Sequence, residues 1–289
     1  MIREPAVSGT FYPGNPRALA SEIEEHIGRA SVEPIEGDIL GLISPHAGYI
    51  YSGPVAAHGY KTLLGRTYDT VIILAPSHRQ YFEGAAVQKH GGYKTPLGVV
   101  PVDEAFASKL LARLPEVQDN ARAHEGEHSL EVQIPFLQFV LKEFRLLPLI
   151  MGTYDTDTCE ELASALFDVM QDMKRTKDTK DKRQQYLVVG STDLSHYYPY
   201  RHALELDGKI VERLNAFDVK GLIDDLDKDR CEACGSGPVI TTMLLSREMG
   251  ANASRVVKYA NSGDTSGDKG AVVGYVSCVF YRAGERCGD

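Results

Sequence analysis

Three apolar segments of the chain are each followed closely by side chains that could do chemistry. His46 follows DILGLIS, His78 follows TVIILAPS, and Asp193 and His196 follow YLVVGST. Neutral imidazole is the commonest side-chain ligand for transition metals, and imidazole and carboxyl groups also transfer protons. In open α/β sheets, ligands bind in the crevice beyond the carboxyl ends of the strands. These residues therefore predict one shared site, provided that the three segments are neighbouring parallel strands.

Proline lies close before the first two histidines and restricts how they are presented. Pro45 and Pro76 stop the strand ladder and hold the residues before them in extended conformations. Any one of the histidines alone is more simply explained as a hydrogen-bonded structural residue. Because residues of the same character recur at three strand ends, a shared site is the better interpretation.

A third metal ligand would have to come from elsewhere in the chain. The stretch CEACGSGPV offers Cys231 and Cys234 just before a predicted helix at about 236–248. A helix N-terminus favours negative charge, so a thiolate there is expected to have a lowered pKa. A lone Cys-x-x-Cys pair is more often structural than a metal or redox motif, and the sequence has no second pair for a four-cysteine zinc site.

The stretch EGEHSLEVQIPFL places Glu127 and His128 at the start of another predicted helix. An acidic residue suits the helix dipole there, and Ser129 can cap the helix. Capping is one explanation of these residues. The other is that Glu127 or His128 orients a ligand of the site from behind, and the sequence leaves both open.

Two further patterns do not match common enzyme motifs. Ser191, Asp193 and His196 are hydrolase-like in type, but they lack a G-x-S-x-G elbow and lie too close in sequence for a familiar triad. The segment SGDTSGDKG is rich in glycine but matches neither a dinucleotide-binding nor a P-loop pattern. It is predicted to be a tight connection between the last two strands.

The elements that must position these residues alternate between strands and helices, which is typical of an α/β sheet. Strands are predicted near 38–44, 70–75, 84–89, 145–151, 186–191, 255–260 and 271–281. Their apolar runs show little alternation, as expected for strands covered on both faces. Helices are predicted over 15–27, 54–64, 103–114, 129–141, 156–170 and 202–217, with Pro135 kinking the fourth or marking its first turn.

Composition limits the classes of function. The chain has 289 residues, 43% of them hydrophobic, and a formal net charge of -9, which argues against a nucleic-acid partner. It has no apolar stretch near the roughly 18 to 20 residues that span a bilayer and no signal-peptide pattern at the N-terminus, so a cytoplasmic protein without a membrane partner is expected. Five cysteines without a disulfide-like framework indicate thiols. The mixed-charge run at 173–185 is predicted to be a solvated loop, and one domain over residues 1–289 is expected.

Eight ordered motifs cover most of the chain. They are AVSGTFYPG, SPHAGYIYSGPVAAHGYK, ILAPSH, YKTPLG, EHSLEVQIPFL, STDLSH, CGSGP and KYANSGD. Together they resemble the Memo family, which is similar in turn to class III (LigB-like) extradiol dioxygenases. The resemblance implies a LigB-like architecture: a single α/β domain with a mostly parallel central sheet flanked by helices and a metal-capable pocket at the strand ends.

The resemblance also assigns residues to roles. It carries the metal-binding positions onto His46, His78 and Cys234, with Asp193 and His196 lining the same pocket. In the dioxygenase relatives a carboxylate is the third ligand and a separate histidine is the acid/base, and His196 looks like that histidine. Here a soft thiolate would replace the hard carboxylate, so Fe(II) or copper is the expected metal, with zinc as a third candidate. Dioxygenase activity therefore does not follow from the fold.

Three functions remain open from the sequence. The leading hypothesis is a metal-dependent enzyme for redox chemistry on a small aromatic or phenolic substrate, in which His196, oriented by Asp193, moves protons. Tyr12, Tyr49 and Tyr51 are candidate pocket aromatics, with core packing as an equal alternative. The second hypothesis is a non-catalytic module that captures a peptide or small anion, and the third is metal storage or handling. In microbes the resemblance also implies an AMMECR1-type protein and a radical-SAM protein as partners.

Overall fold

The computed structural model describes residues 1–176 and 184–284. Its strands are β1 (Ile2–Arg3), β2 (Asp38–Ser44), β3 (Thr70–Pro76), β4 (Ala85–Val87), β5 (Gly92–Thr95), β6 (Gly98–Pro101), β7 (Val117–Asp119), β8 (Arg145–Met151), β9 (Tyr186–Ser191), β10 (His196–Tyr198), β11 (Ala253–Asn261) and β12 (Val272–Arg282). Its helices are α1 (Pro16–Arg29), α2 (Tyr49–Lys61), α3 (Glu104–Arg113), α4 (Arg122–Glu125), α5 (Gln133–Leu141), α6 (Thr156–Thr176), α7 (Tyr200–Asn215), α8 (Val219–Asp227), α9 (Ser236–Glu248) and α10 (Ser262–Ser266).

The main sheet is mixed, with parallel strands at its centre. Its order in the described residues is β10-β12-β2-β9-β3-β8-β4-β7, and β11 pairs with β12. The central strands β2, β9, β3 and β8 are parallel, whereas β12 and β4 join them on either side in the antiparallel direction. Antiparallel neighbours can be joined by short connections, and only residues 262–271 separate β11 from β12. The predicted α/β fold is confirmed, with the parallel arrangement confined mainly to the centre.

The three strands that precede the candidate site residues lie side by side. In the register of β2 and β9, Ser44 pairs with Ser191, and in that of β3 and β9, Leu74 pairs with Gly190. The carboxyl ends of β2, β9 and β3 therefore meet at one edge, as convergence of the site requires.

Both faces of the sheet are covered by helices. Alternate residues of β3 belong to the two cores: Ile72 lies in the core that includes residues of α3, α6 and α9, and Ile73 lies in the core that includes residues of α1, α2 and α5. This explains why the strand segments read as continuous apolar runs rather than as alternating ones.

Several short elements were not predicted from the sequence. They include β1, the hairpin of β5 and β6, and the three-residue strands β7 and β10, all too short to show a periodic pattern. The predicted plain connection SGDTSGDKG contains α10, which begins with a capping box between Asn261 and Asp264. Pro135 lies in the first turn of α5, one of the two predicted alternatives.

Two other predictions touch the ends of the described segments. Within the predicted charged loop at 173–185, residues 173–176 form the last turn of α6, which corrects that part of the prediction, and residues 177–183 lie outside the described part. The four cysteines in the described residues are free thiols, as expected. None of the described helices combines the length and apolarity needed to cross a bilayer.

Candidate functional site

His46 is held by its backbone and by one of its two ring nitrogens. Its N–H donates to Oδ1 of Asp193 at 2.8 Å, and its Nδ1 lies 2.9 Å from Oγ of Ser191. The hydroxyl of Ser191 donates to the carbonyl of Ser129 at 2.7 Å, so its oxygen must accept a hydrogen bond from Nδ1 of His46. Nδ1 therefore carries the proton, which leaves on Nε2 a lone pair that faces the thiol of Cys234.

His78 is fixed in the same way by a carboxylate. Glu127 accepts from the N–H of His78 at 2.6 Å, and its Oε1 lies 3.0 Å from Nδ1 of His78. Burial would raise the pKa of Glu127, but hydrogen bonds from the His78 side chain and from the N–H groups of Ser129 and His78 lower it to about 2. The ionised carboxylate can only accept, so Nδ1 of His78 is the donor and Nε2 is not involved in this bond.

His128 completes a group of three imidazoles. One ring nitrogen from each of His46, His78 and His128 lies within 4.8 Å of the others, a spacing that could hold a metal ion. The rings of His78 and His128 stack with centroids 4.8 Å apart, and His46 meets both edge-on. Burial holds the pKa of His46 well below its usual value and lowers that of His128. Neutral imidazole is the form that binds metals.

Cys234 lies against His46, immediately before α9. Its Sγ is 3.2 Å from Nε2 of His46 and accepts from the N–H of Asp193 at 3.3 Å. Burial, followed by the charge of Asp193, raises the pKa of the thiol to about 12. The expectation of a lowered pKa at a helix N-terminus is therefore wrong here, because removal from water outweighs the helix dipole. A metal would have to displace the thiol proton to bind this sulfur.

Asp193 and His196 follow β9 but serve different neighbours. Oδ2 of Asp193 is 4.0 Å from Nε2 of His46. Burial raises the pKa of the carboxyl to about 7, although hydrogen bonds from the N–H groups of His46 and Ala47 oppose the rise. The backbone N–H of His196 donates to Oε1 of Glu232 at 2.8 Å. No hydrogen bond joins Asp193 to His196 in the described structure, so Asp193 holds the His46 loop instead of orienting His196 through such a bond.

Comparison with known proteins identifies the family. A family model described as Memo-like protein matches residues 3–279. The chain belongs to the Memo family. It is 40% identical to a MEMO1 family protein of Methanopyrus kandleri, over 98% of this chain and 100% of that protein. It is 38% identical to one of Sulfolobus acidocaldarius, over 97% and 99%, and 36% identical to one of Methanosarcina mazei, over 96% and 98%.

In this Memo family member, two of the three tyrosines proposed for the pocket lie in the core. Tyr12 and Tyr49 are both buried; the hydroxyl of Tyr12 donates to Glu131 and that of Tyr49 to the carbonyl of Val132. Tyr51 points outward and is 42% exposed. Core packing, the alternative given equal weight from the sequence, describes Tyr12 and Tyr49.

Some residues that shape the Memo site were not predicted. Gln133 donates to Oγ of Ser191 at 2.8 Å and to the carbonyl of Pro45 at 2.9 Å, which ties α5 to the His46 loop. Glu232, within the CEAC stretch, holds the backbone of His196. Both residues lie inside motifs noted from the sequence, but their partners are far away along the chain, so spacing alone gave no signal for their roles.

Proposed function

We propose that this Memo family protein binds a transition-metal ion at His46 and His78 and uses it for redox chemistry on a small phenolic substrate. The observation that carries the proposal is the pair of imidazoles whose Nδ1 atoms are occupied by Ser191 and Glu127. Partners of this kind fix the ring orientation of metal-ligating histidines and raise their basicity.

The remaining donors fit a soft or borderline metal. Cys234 offers a sulfur 3.2 Å from Nε2 of His46, and His128 offers a third imidazole. We propose Cys234 as the third ligand, because thiolate with two imidazoles suits copper, iron or zinc better than Mg²⁺ or Ca²⁺. Of these three metals, iron and copper change oxidation state readily and so support redox chemistry. His128 is the alternative to Cys234 as third ligand.

The chemistry divides between the metal and the chain. A bound iron or copper ion would supply electron transfer and polarise a phenolic oxygen. His196 would take up or return the phenolic proton as a general acid/base. Asp193 would keep the His46 loop in place through its bond to the His46 N–H.

Elemental analysis of anaerobically purified protein tests the proposal. We expect about one equivalent of iron or copper in the wild type and its loss in Cys234→Ala. Cys231→Ala is the matched control, since this buried cysteine of the same motif is not proposed as a ligand. Loss of metal in His128→Ala but not in Cys234→Ala would show that the third ligand is His128 and not Cys234. Wild-type protein that takes up neither Fe(II), Cu(I) nor Zn(II) would contradict the whole proposal.

A further inference from the structure

An exposed aromatic ring stands directly beside the site. Tyr197 follows His196, is 76% exposed, and has its ring centroid 5.8 Å from that of His196 in an edge-on arrangement. His196 comes three residues after Asp193, whose carboxylate accepts from the N–H of His46 at 2.8 Å. The ring of Tyr197 therefore lies one side chain outward from the histidine group.

The backbone of Tyr197 is in an unfavourable conformation. Its φ is +64°, in the left-handed region that bulky residues rarely adopt. Burial offsets little of the conformational cost, since residue Tyr197 is 76% exposed. Strained conformations of this kind persist only where the surroundings enforce them, and they concentrate at functional sites.

Hydrogen bonds and strand pairing on both sides of Tyr197 hold its backbone in this left-handed conformation. One carboxylate, that of Glu232, accepts from the N–H of His196 at 2.8 Å and from the hydroxyl of Tyr198 at 3.1 Å. The pairing of β10 with β12 also shifts register between His196 and Tyr198. Both neighbours of Tyr197 are thus fixed, and Tyr197 is forced outward between them.

Other large apolar side chains are exposed close in sequence to the same histidines. Ile50 and Tyr51 lie four and five residues after His46, and Tyr81 lies three residues after His78; all three are exposed. Tyr51 lies in α2 and Tyr197 lies in β10, and both of these elements contact β12. Exposed apolar groups beside a cluster of polar side chains are typical of binding sites.

We propose that Tyr197 determines specificity at this site by stacking against the aromatic ring of the substrate while the substrate's polar head reaches the histidine group. This inference rests on the proposed function and names the part of the substrate that Tyr197 recognises. Offset or edge-on aromatic pairs contribute binding energy beyond the area that they bury.

Two metal-binding probes, one with an aromatic ring and one without, test the proposal. Benzohydroxamate and acetohydroxamate share the same metal-binding head, and Zn(II)-loaded protein allows their binding to be measured by calorimetry without turnover. We expect Tyr197→Ala to weaken benzohydroxamate about two- to tenfold and to leave acetohydroxamate unchanged. Tyr197→Phe should retain the wild-type affinity for both.

The outcomes separate the two proposals. If wild type binds both probes and Tyr197→Ala weakens neither, or weakens both equally, Tyr197 does not recognise the ring. If wild-type protein takes up zinc but binds neither probe, this inference is overturned while the proposed metal site stands. If it takes up no metal, the proposed function itself fails.

Thermal unfolding of a glycine variant distinguishes binding from structure. Tyr197→Gly should lower the affinity for benzohydroxamate while the melting temperature stays equal or rises, because glycine accepts the left-handed backbone without strain. Lys142→Gly is the matched control, since Lys142 has φ +66° at the end of α5 and should affect neither probe. A large fall in melting temperature for Tyr197→Gly would show that the ring is structural.

Discussion

The hydroxyl of Ser191 decides which nitrogen of His46 carries the proton. A serine oxygen can both donate and accept, but here its single hydrogen goes to the carbonyl of Ser129, and Gln133 occupies a second contact. The imidazole of His46 must therefore donate from Nδ1, and its unprotonated Nε2 faces Cys234. The tautomer suited to metal binding is set before any metal arrives.

Replacing Ser191 with alanine removes the acceptor of this proton. We expect the affinity for Zn(II) to fall about 10- to 100-fold, as for other partners of ligating histidines. Competition with a chromophoric chelator measures the affinity. Ser44→Ala is the matched control, because Ser44 pairs with Ser191 across β2 and β9 but is not a partner of the His46 ring. An unchanged affinity in Ser191→Ala would mean that the hydroxyl does not set the tautomer.

The residues at the strand ends could be predicted from sequence, but their partners could not. His46, His78 and His196 follow apolar runs that read as buried strands, so their convergence needs only the general geometry of α/β sheets. The role of Ser191 depends on β2 and β9 being neighbours in one register. The pKa of Cys234 was predicted in the wrong direction because burial is a property of the folded chain.

At the scale of elements, the N-terminal segment braces the part of the chain that carries Glu127 and His128. Glu131 accepts from the guanidinium of Arg3, from the N–H groups of Ala6 and Val7, and from the hydroxyl of Tyr12. Arg3 also donates to the carbonyls of His124 and Glu127, at 2.9 and 2.6 Å. The ion pair is buried, so its charges depend on each other and on these bonds.

Glu131→Gln should leave the buried Arg3 without a counter-charge. We expect the free energy of unfolding to fall by about 3 to 5 kcal/mol, measured by urea denaturation. Arg3→Met combined with Glu131→Gln should recover part of the loss, because the unpaired charge is then removed. Asp168→Asn is the control at an exposed pair with Arg113 and should cost about 0 to 1 kcal/mol. Equal losses at the two pairs would contradict the bracing role.

Contacts of this kind explain why the sequence predicted elements better than their assembly. The long strands and helices show periodic or continuous apolar patterns, which are local signals. Arg3 and Glu131 are 128 residues apart, and no local pattern indicates that they meet. The same holds for the short strand β10, whose position depends on pairing with β12.

At the scale of the whole molecule, the site exists only in the folded chain. His46 and Cys234 are 188 positions apart, yet Sγ and Nε2 lie 3.2 Å apart. Ligands from separate elements cannot bind one ion together in an unfolded chain, so binding of the proposed metal would be linked to folding stability. A metal that binds the native state will raise its stability by mass action.

Global stability should also depend on pH through His124. The side chain is buried against Tyr93, and burial, followed by the charge of Arg3, lowers its pKa to about 3. The unfolded chain takes up this proton below about pH 6.5, whereas the folded chain does not until about pH 3, so stability falls as the pH drops through this window. The contribution of His124 to stability is fully present above pH 6.5, the pKa of the group in the unfolded chain.

Urea unfolding at pH 7.0 and 4.5 measures this contribution. Between these pH values wild type should lose about 2 to 3 kcal/mol more than His124→Asn, which has no proton to take up. The other buried histidines remain in both proteins, so the difference isolates His124. Identical pH dependence in the two proteins would refute the assignment.

Glu127 makes the histidine group asymmetric. Its Oε1 lies 3.0 Å from Nδ1 of His78 and 3.3 Å from Nδ1 of His128, so two rings compete for one oxygen. When a cation draws electron density from one imidazole, its N–H becomes more acidic and takes a larger share of that oxygen. A cation bound to His78 would therefore strengthen the bond between His78 and Glu127 at the expense of His128, so the two imidazoles are not equivalent as ligands.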